Sequence, residues 1–268
     1  ELPRFAYRPE NYIHGESKRC EEKGTVTIAT YYTLKKGSSQ VEVEVKLNNQ
    51  CRDHKMSVVM DTGVDTQTVD AEGHFVVDHR KMFPLKDENG AYFNELTTQP
   101  MQDFVSVYDG KRGMGVLTDC LGEYEFRKSK SLSFTLFRAV RNIICTEFRS
   151  EGYFPNQDGG QVQGILEYRY AIAPQKGTYE EECFAERAEQ MKVPLKPIQT
   201  SVPNMGKRTL PLKHSFYEVE GNVSVSCLKL AQDKSGVILR LFNLSADQER
   251  VVVKFDADVK AIDVVDLK

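Results

Sequence analysis

The chain has 268 residues, of which 40% are hydrophobic and 28% charged, with a formal net charge of −3 at pH 7. That apolar fraction supports packed cores and argues against global disorder, and the length fits one large β domain or two ordinary ones. Scattered basic residues offer a phosphate backbone no stripe, which argues against nucleic acid as a partner, and no apolar run approaches the ~20 residues that span a bilayer.

The chain opens on Glu1-Leu2-Pro3-Arg4, without initiator Met or signal sequence, and reads as a mature product or a cut fragment. A strand then begins at Val26 and Ile28 and ends near Tyr32. The polar turn Lys35-Lys36-Gly37-Ser38-Ser39 joins it to Val41, Val43, Val45 and Leu47, which alternate with Glu42, Glu44 and Lys46. This period of two predicts a strand with one buried and one solvated face. A second hairpin reads as residues 104–108, the turn Asp109-Gly110-Lys111-Arg112-Gly113, and residues 114–117. Alternation returns at Leu132, Phe134 and Leu136, and at Leu166, Tyr168, Tyr170 and Ile172. Thr178-Tyr179-Glu180-Glu181 matches a capping box, with Phe184, Ala188 and Met191 following at helical spacing and Pro194 and Pro197 ending the helix. Residues 197–213 are polar, hold Pro203 and Pro211, and read as a linker. Strand patterns resume at 223–230, 237–244 and 251–255.

The six cysteines, Cys20, Cys51, Cys120, Cys145, Cys183 and Cys227, are widely spaced and form no CxxC. A domain of this size needs no disulfide staples, so reduced thiols and a cytoplasmic home are expected. The sequons at Asn222 and Asn243 are short enough to arise by chance.

Chemistry-bearing patterns are sparse. The histidines are His14, His54, His74, His79 and His214. His74 and Asp78 would share one face of an extended strand, with His79 on the other. A zinc site needs three or four convergent ligands, and neither HExxH nor CxxC occurs. Surface or hydrogen-bonded core histidine is the simpler account, and no metal is expected in this chain. Glycosidases need two carboxylates about 5–9 Å apart. Glu123 and Glu125 share a strand face, as do Glu42 and Glu44, but the latter alternate with core valines and read as a solvated face. No GxSxG is present, and the run Gly110-Lys111-Arg112-Gly113-Met114-Gly115 lacks the GK[ST] ending of a phosphate loop. Twelve Tyr, fourteen Phe and no Trp weaken the reading of a free-standing sugar-binding module, which would present flat aromatic platforms.

The segment Gly113-Met114-Gly115-Val116-Leu117-Thr118-Asp119-Cys120-Leu121-Gly122-Glu123-Tyr124-Glu125-Phe126 resembles a stretch typical of the C-terminal β region of glycoside hydrolase family 38, the α-mannosidases. Leu132-Ser133-Phe134-Thr135-Leu136-Phe137-Arg138-Ala139-Val140 and Leu166-Glu167-Tyr168-Arg169-Tyr170-Ala171-Ile172-Ala173-Pro174 are similar to later strands of that region. So are Val225-Ser226-Cys227-Leu228-Lys229 and Ile238-Leu239-Arg240-Leu241-Phe242-Asn243-Leu244. Order and spacing hold from about Phe104 to Phe255, and the first hundred residues match more loosely. Cys120-Leu121-Gly122 stands where the family has Gly-Leu-Pro, and the chain stops at Val264-Val265-Asp266-Leu267-Lys268 where relatives continue for further strands.

The resemblance implies a parent enzyme that cleaves α-mannosides with retention, through a zinc-bound Asp nucleophile and a second acid. Those groups belong to the family's N-terminal barrel and helical bundle, and none matches a position here, so no catalytic residue and no metal ligand carries over. Zinc is implied for the parent's catalytic domain, and no cofactor is expected in this chain. Loops of the family's β domains can line the substrate cleft. The candidates here are Arg112, Asp119, Glu123 and Tyr124, whose simpler reading is as turn-forming and surface residues. Arg138 matches a family position, and a mid-strand Arg could equally pair with an internal carboxylate.

The expectation is therefore a mainly β chain. It comprises a large, supersandwich-like β-sandwich with one helix over residues 1–196, a linker at 197–213, and a smaller, incomplete β domain at 214–268. Its expected role is a non-catalytic part of an α-mannosidase that supports the catalytic barrel and helps to shape the cleft. The expected partners are the N-terminal catalytic domain, the α-mannoside met through the parent, and further copies in a homo-oligomer of the parent. The alternative is an independent carbohydrate-binding or interaction module. An enzyme complete in this chain would need two convergent acids or a metal.

Overall fold

Residues with branched apolar side chains on every second position form most of the strands, as the pleat places successive side chains on opposite faces. The computed structural model describes residues 1–7, 18–81, 98–140, 158–199 and 211–266. His14, Cys145, Pro203 and most of the expected linker lie outside the described residues. The chain forms two compact units, Glu1–Lys192 and Val193–Lys268.

The first unit contains β1 (Leu2–Pro3), β2 (Lys23–Gly24), β3 (Val26–Thr33), β4 (Val41–Asn49), β5 (His54–Asp61), β6 (Thr68–Glu72) and β7 (Val77–Lys81). It continues with β8 (Gln99–Pro100), β9 (Phe104–Tyr108), β10 (Gly113–Thr118), β11 (Glu123–Phe126), β12 (Ser131–Ala139), β13 (Gly164–Gln175) and helix α1 (Phe184–Lys192). A seven-stranded sheet runs in the order β3-β4-β13-β10-β9-β6-β7, and a four-stranded sheet in the order β5-β12-β11-β8. Their pairings are antiparallel throughout. Val43, Val45 and Leu47 of β4, Val105 and Val107 of β9, Val116 of β10 and Tyr170 of β13 meet Tyr124, Phe126, Leu132 and Phe134 of the smaller sheet in one apolar core. Each fully buried aliphatic or aromatic side chain there contributes about 1.5–3 kcal/mol of apolar burial. The chain is mainly β and packs as a β-sandwich, as its alternation predicts.

Helix α1 seals the outer face of the seven-stranded sheet. Phe184 and Ala188 are fully buried, and Phe184 lies edge-on to Phe104, ring centroids 5.9 Å apart. Glycine makes this seat possible: a Cβ on Gly115 would come within 2.1 Å of the Phe184 ring. The capping-box bonds do form, Glu181 N–H to Thr178 Oγ1 at 3.3 Å and Thr178 N–H to Glu181 Oε2 at 2.8 Å. They close a turn rather than the first turn of α1, because Cys183 takes a left-handed conformation with φ of 52° and interrupts the chain just before Phe184.

In the second unit, β14 (Tyr217–Glu220) pairs with β17 (Val252–Phe255), and β15 (Ser224–Leu230) pairs with β16 (Val237–Phe242). No described residue of this unit is buried.

Candidate functional site

The β9–β10 turn is built by Asp109. Its Oδ1 accepts the backbone N–H groups of Lys111 and Arg112 at 2.9 and 3.0 Å, an arrangement that holds its carboxyl below the usual range. Gly110 supplies the required positive φ of 88°. The turn leads into β10 with no helix, so the glycine-rich run is a hairpin and not a phosphate loop. Arg112 donates from Nη2 to the Gly63 carbonyl at 2.8 Å, and its side chain is 70% exposed.

The next turn is closed by Thr118. Its hydroxyl donates to the carbonyls of Gln102 and Leu121 and accepts the Leu121 N–H. Asp119 follows on the outer face and accepts from Arg169 Nη2 at 2.8 Å, across from it on β13. Arg112 and Asp119 flank the six residues of β10, so about 20 Å of extended chain separates them.

Glu123 and Tyr124 are adjacent on β11 and point to opposite faces of the four-stranded sheet. Tyr124 is 2% exposed and belongs to the core. Arg80 reaches it, with Nη1 3.4 Å from the hydroxyl and the guanidinium 5.9 Å from the ring centroid, while burial pushes its phenol up. Glu123 lies on the outer face and is saturated with donors. Oε1 accepts from Thr135 Oγ1 at 2.6 Å and pairs with Lys55 Nζ at 2.9 Å, and Oε2 accepts from Arg138 Nη2 at 2.6 Å and Nε at 3.1 Å. Burial alone would raise its pKa, but the bonds from Thr135, Lys55 and Arg138 outweigh burial and hold it down at about 2. An acid that strong is ionised at neutral pH and cannot protonate a leaving group. Arg138 thus pairs with a carboxylate of its own sheet, one of the two readings that its position left open.

The four candidates are therefore not brought to one place. Two sit at opposite ends of one strand and two on opposite faces of another. The histidine group does not converge either. His74 lies exposed in the β6–β7 bend, Asp78 pairs with Arg80, and His79 bonds Asp70. Among the described residues no group of three or more His, Cys, Asp or Glu is placed to hold a metal ion.

One carboxyl escaped sequence reasoning. Glu72, at the end of β6, is 6% exposed, and its Oε2 has no hydrogen-bond partner among the described residues. Burial, reinforced by the nearby Asp103 charge, raises it to about 7, against the opposing pull of Lys192. Lys192, the last residue of α1, is itself tied to Asp103 and lies 3.6 Å from Glu189. The tertiary approach of α1 creates this environment, and no local motif marks it. Asp103 acts on it through charge while bonded to Lys192, and Glu72 is read as a buried wall residue.

The sequence matches two models of one family in chain order: the glycosyl hydrolases family 38 C-terminal domain over residues 11–142, and the family 38 C-terminal beta sandwich domain over residues 222–268. The chain belongs to the C-terminal region of glycosyl hydrolase family 38. A putative mannosylglycerate hydrolase from Halalkalibacterium halodurans is 28% identical over 259 residues, which are 95% of this chain and 26% of that protein. A glycosyl hydrolase family 38 protein from Enterococcus faecalis superimposes with a TM-score of 0.79 at 23% identity, over 95% of this chain and 29% of its own. An alpha-mannosidase from Enterococcus faecalis gives a TM-score of 0.78 at 25% identity, over 91% and 27% respectively. The chain thus spans between a quarter and a third of the length of these relatives.

Proposed function

We propose that this chain is the non-catalytic C-terminal part of an enzyme that hydrolyses α-mannosidic linkages with retention, and that it packs against the catalytic domain and shapes the approach to its cleft. The observation that carries the reading is the ordered match to two C-terminal family 38 models, over about a quarter of a mannosylglycerate hydrolase relative. The geometry supports it, since Glu123 is locked in ion pairs, Tyr124 is in the core and Asp119 is tied to Arg169. Arg112 keeps the most open side chain of the four and is the best placed to meet a sugar hydroxyl. Zinc belongs to the proposed catalytic partner, where it would grip sugar hydroxyls. Free Cys20, Cys51, Cys120, Cys183 and Cys227 support a reducing, cytoplasmic home.

The test is hydrolysis of a chromogenic α-mannoside and of mannosylglycerate by this chain, with and without zinc, beside a longer protein that adds the catalytic domain. The expected result is turnover by the longer protein alone. Zinc-dependent turnover by the 268-residue chain would overturn the reading.

A further inference from the structure

Sheet edges present unpaired backbone groups, and proteins guard them with charges, prolines or brevity. Three of the four edges of the sandwich are guarded in this way. Strand β7 carries Asp78, His79, Arg80 and Lys81, β8 has two residues and ends in Pro100, and β5 carries Lys55 and Asp61. Strand β3 is different. It is eight residues long, closes the seven-stranded sheet, and among the described residues pairs only with β4. From Gly24 to Leu34 the sequence holds no charge and no proline. Its residues are rich in the branched and aromatic types that suit strands.

The side chains of this edge are apolar beyond what its sheet uses. Ile28, Thr30 and Tyr32 lie opposite Leu47, Val45 and Val43, so they share the core-facing side of the sheet. The β4 partners are 2–3% exposed, yet Ile28 is 51% exposed and Tyr32 67%. Leu34, on the same parity, is 68% exposed.

We infer that β3 is a self-association edge, pairing antiparallel with β3 of a second copy of this chain about a two-fold axis at Thr30. The sequence is self-complementary in that register. Ile28 of one copy faces Tyr32 of the other, Val26 faces Leu34, and Thr30 faces itself, all on one side of the joined sheet. On the other side Ala29 faces Tyr31 and Thr27 faces Thr33. The flanking charges agree. Exposed Glu21, Glu22 and Lys23 precede the strand and exposed Lys35 and Lys36 follow it, with Glu22 and Lys35 already paired to Arg4 and Glu42 within one copy, so antiparallel pairing keeps the two basic ends apart, where parallel pairing would set them side by side. Such a pairing makes one continuous fourteen-stranded sheet, which is twice the seven strands of a single copy, and leaves the guarded β7 edges at its two rims. A single strand pair lies at the small end of specific interfaces, so the dimer is a dissociating one, with a Kd in roughly the micromolar range or weaker.

The test is sedimentation velocity on the 268-residue chain across a concentration series from about 1 to 200 μM, a range that covers micromolar Kd values. The expected result is a concentration-dependent rise to twice the mass of one chain. Ile28→Lys and Tyr32→Glu alter side chains more than half exposed, which spares the core, and circular dichroism checks the fold. Each variant alone should sediment as a monomer. An equimolar mixture should regain a dimer, because residue 28 of one variant meets residue 32 of the other. A wild type that stays monomeric throughout overturns the proposal. So do variants that still dimerise, which would place the contact elsewhere, and a mixture that fails to recover, which would reject the register.

Discussion

Two carboxyls of the first unit are pushed in opposite directions, and the sign of each gives a stability prediction. Glu72 is raised from its ordinary value to about 7 by burial. The folded chain therefore holds a proton that the unfolded chain releases above about pH 4.5. The stability from this group is fully present below that pH and is lost as pH rises through about 7. Glu72→Gln should remove the dependence and make the chain more stable than wild type at pH 8, by about 2–3 kcal/mol at most. Urea unfolding at pH 5 and pH 8 checks this, and equal wild-type stability at both would contradict it. Glu123 runs the other way. Its contribution is present above the ordinary carboxylate value and disappears as pH falls through about 2. Glu123→Gln should cost about 1–3 kcal/mol at pH 7, toward the low end because the cluster is partly solvated, and the gap between the two proteins should close near pH 2. At this scale the sequence was legible where chemistry is local. Asp109 and Gly110 announce their turn, but nothing near Glu123 in sequence reveals that Lys55 and Arg138 will bracket it from two neighbouring elements.

At the scale of elements, the seat of α1 is a steric statement. Gly115 leaves room for the Phe184 ring, and a methyl group there would meet Phe184 Cε2 at 2.1 Å. Gly115→Ala should destabilise the first unit by about 1–3 kcal/mol through overpacking. Adding Phe184→Leu should recover part of the loss, so the pair should be non-additive in a double-mutant cycle by thermal or urea unfolding. Additive losses would mean that the two residues are not in contact. Strands were legible wherever one face is buried, as in β4, whose valines alternate with charges. Strand β12 was harder, because Ser131, Ser133 and Thr135 are buried along with Leu132 and Phe134. A bulge between Thr135 and Phe137 then brings both Leu136 and Phe137 into the core, which a strict period of two does not foresee. The capping box misplaced the helix start for a related reason: its hydrogen bonds are local, and the left-handed Cys183 that follows them has no sequence signal of the glycine kind.

At the scale of the molecule, the two units differ in what they bury. The first has a continuous core from Val43 to Tyr170. In the second, Phe216, Leu230, Val237 and Ile262 are among many apolar side chains left exposed, and no described residue is buried. Hydrogen exchange should therefore be slowest in β4, β12 and β13 and fast throughout residues 217–255, since protection follows burial and packing. Equal protection in the two units would contradict this. The class of fold was readable from the many short alternating runs, but the order of strands in the sheets was not. Neighbourhood in a sheet depends on long-range pairing, and no residue of β4 names β13 as its partner.

That pairing has a consequence for how the chain is made. Asn49 of β4 lies opposite Gly164 of β13, about 115 residues later in the chain. At about 5–20 residues per second, a ribosome takes roughly 6–25 s to deliver the second strand after the first. For that interval a hairpin of β3 and β4, marginal by itself, would have its β4 edge unpaired. The β4 edge is thus open to mispairing during that interval, when it waits for a neighbour that has not yet been translated.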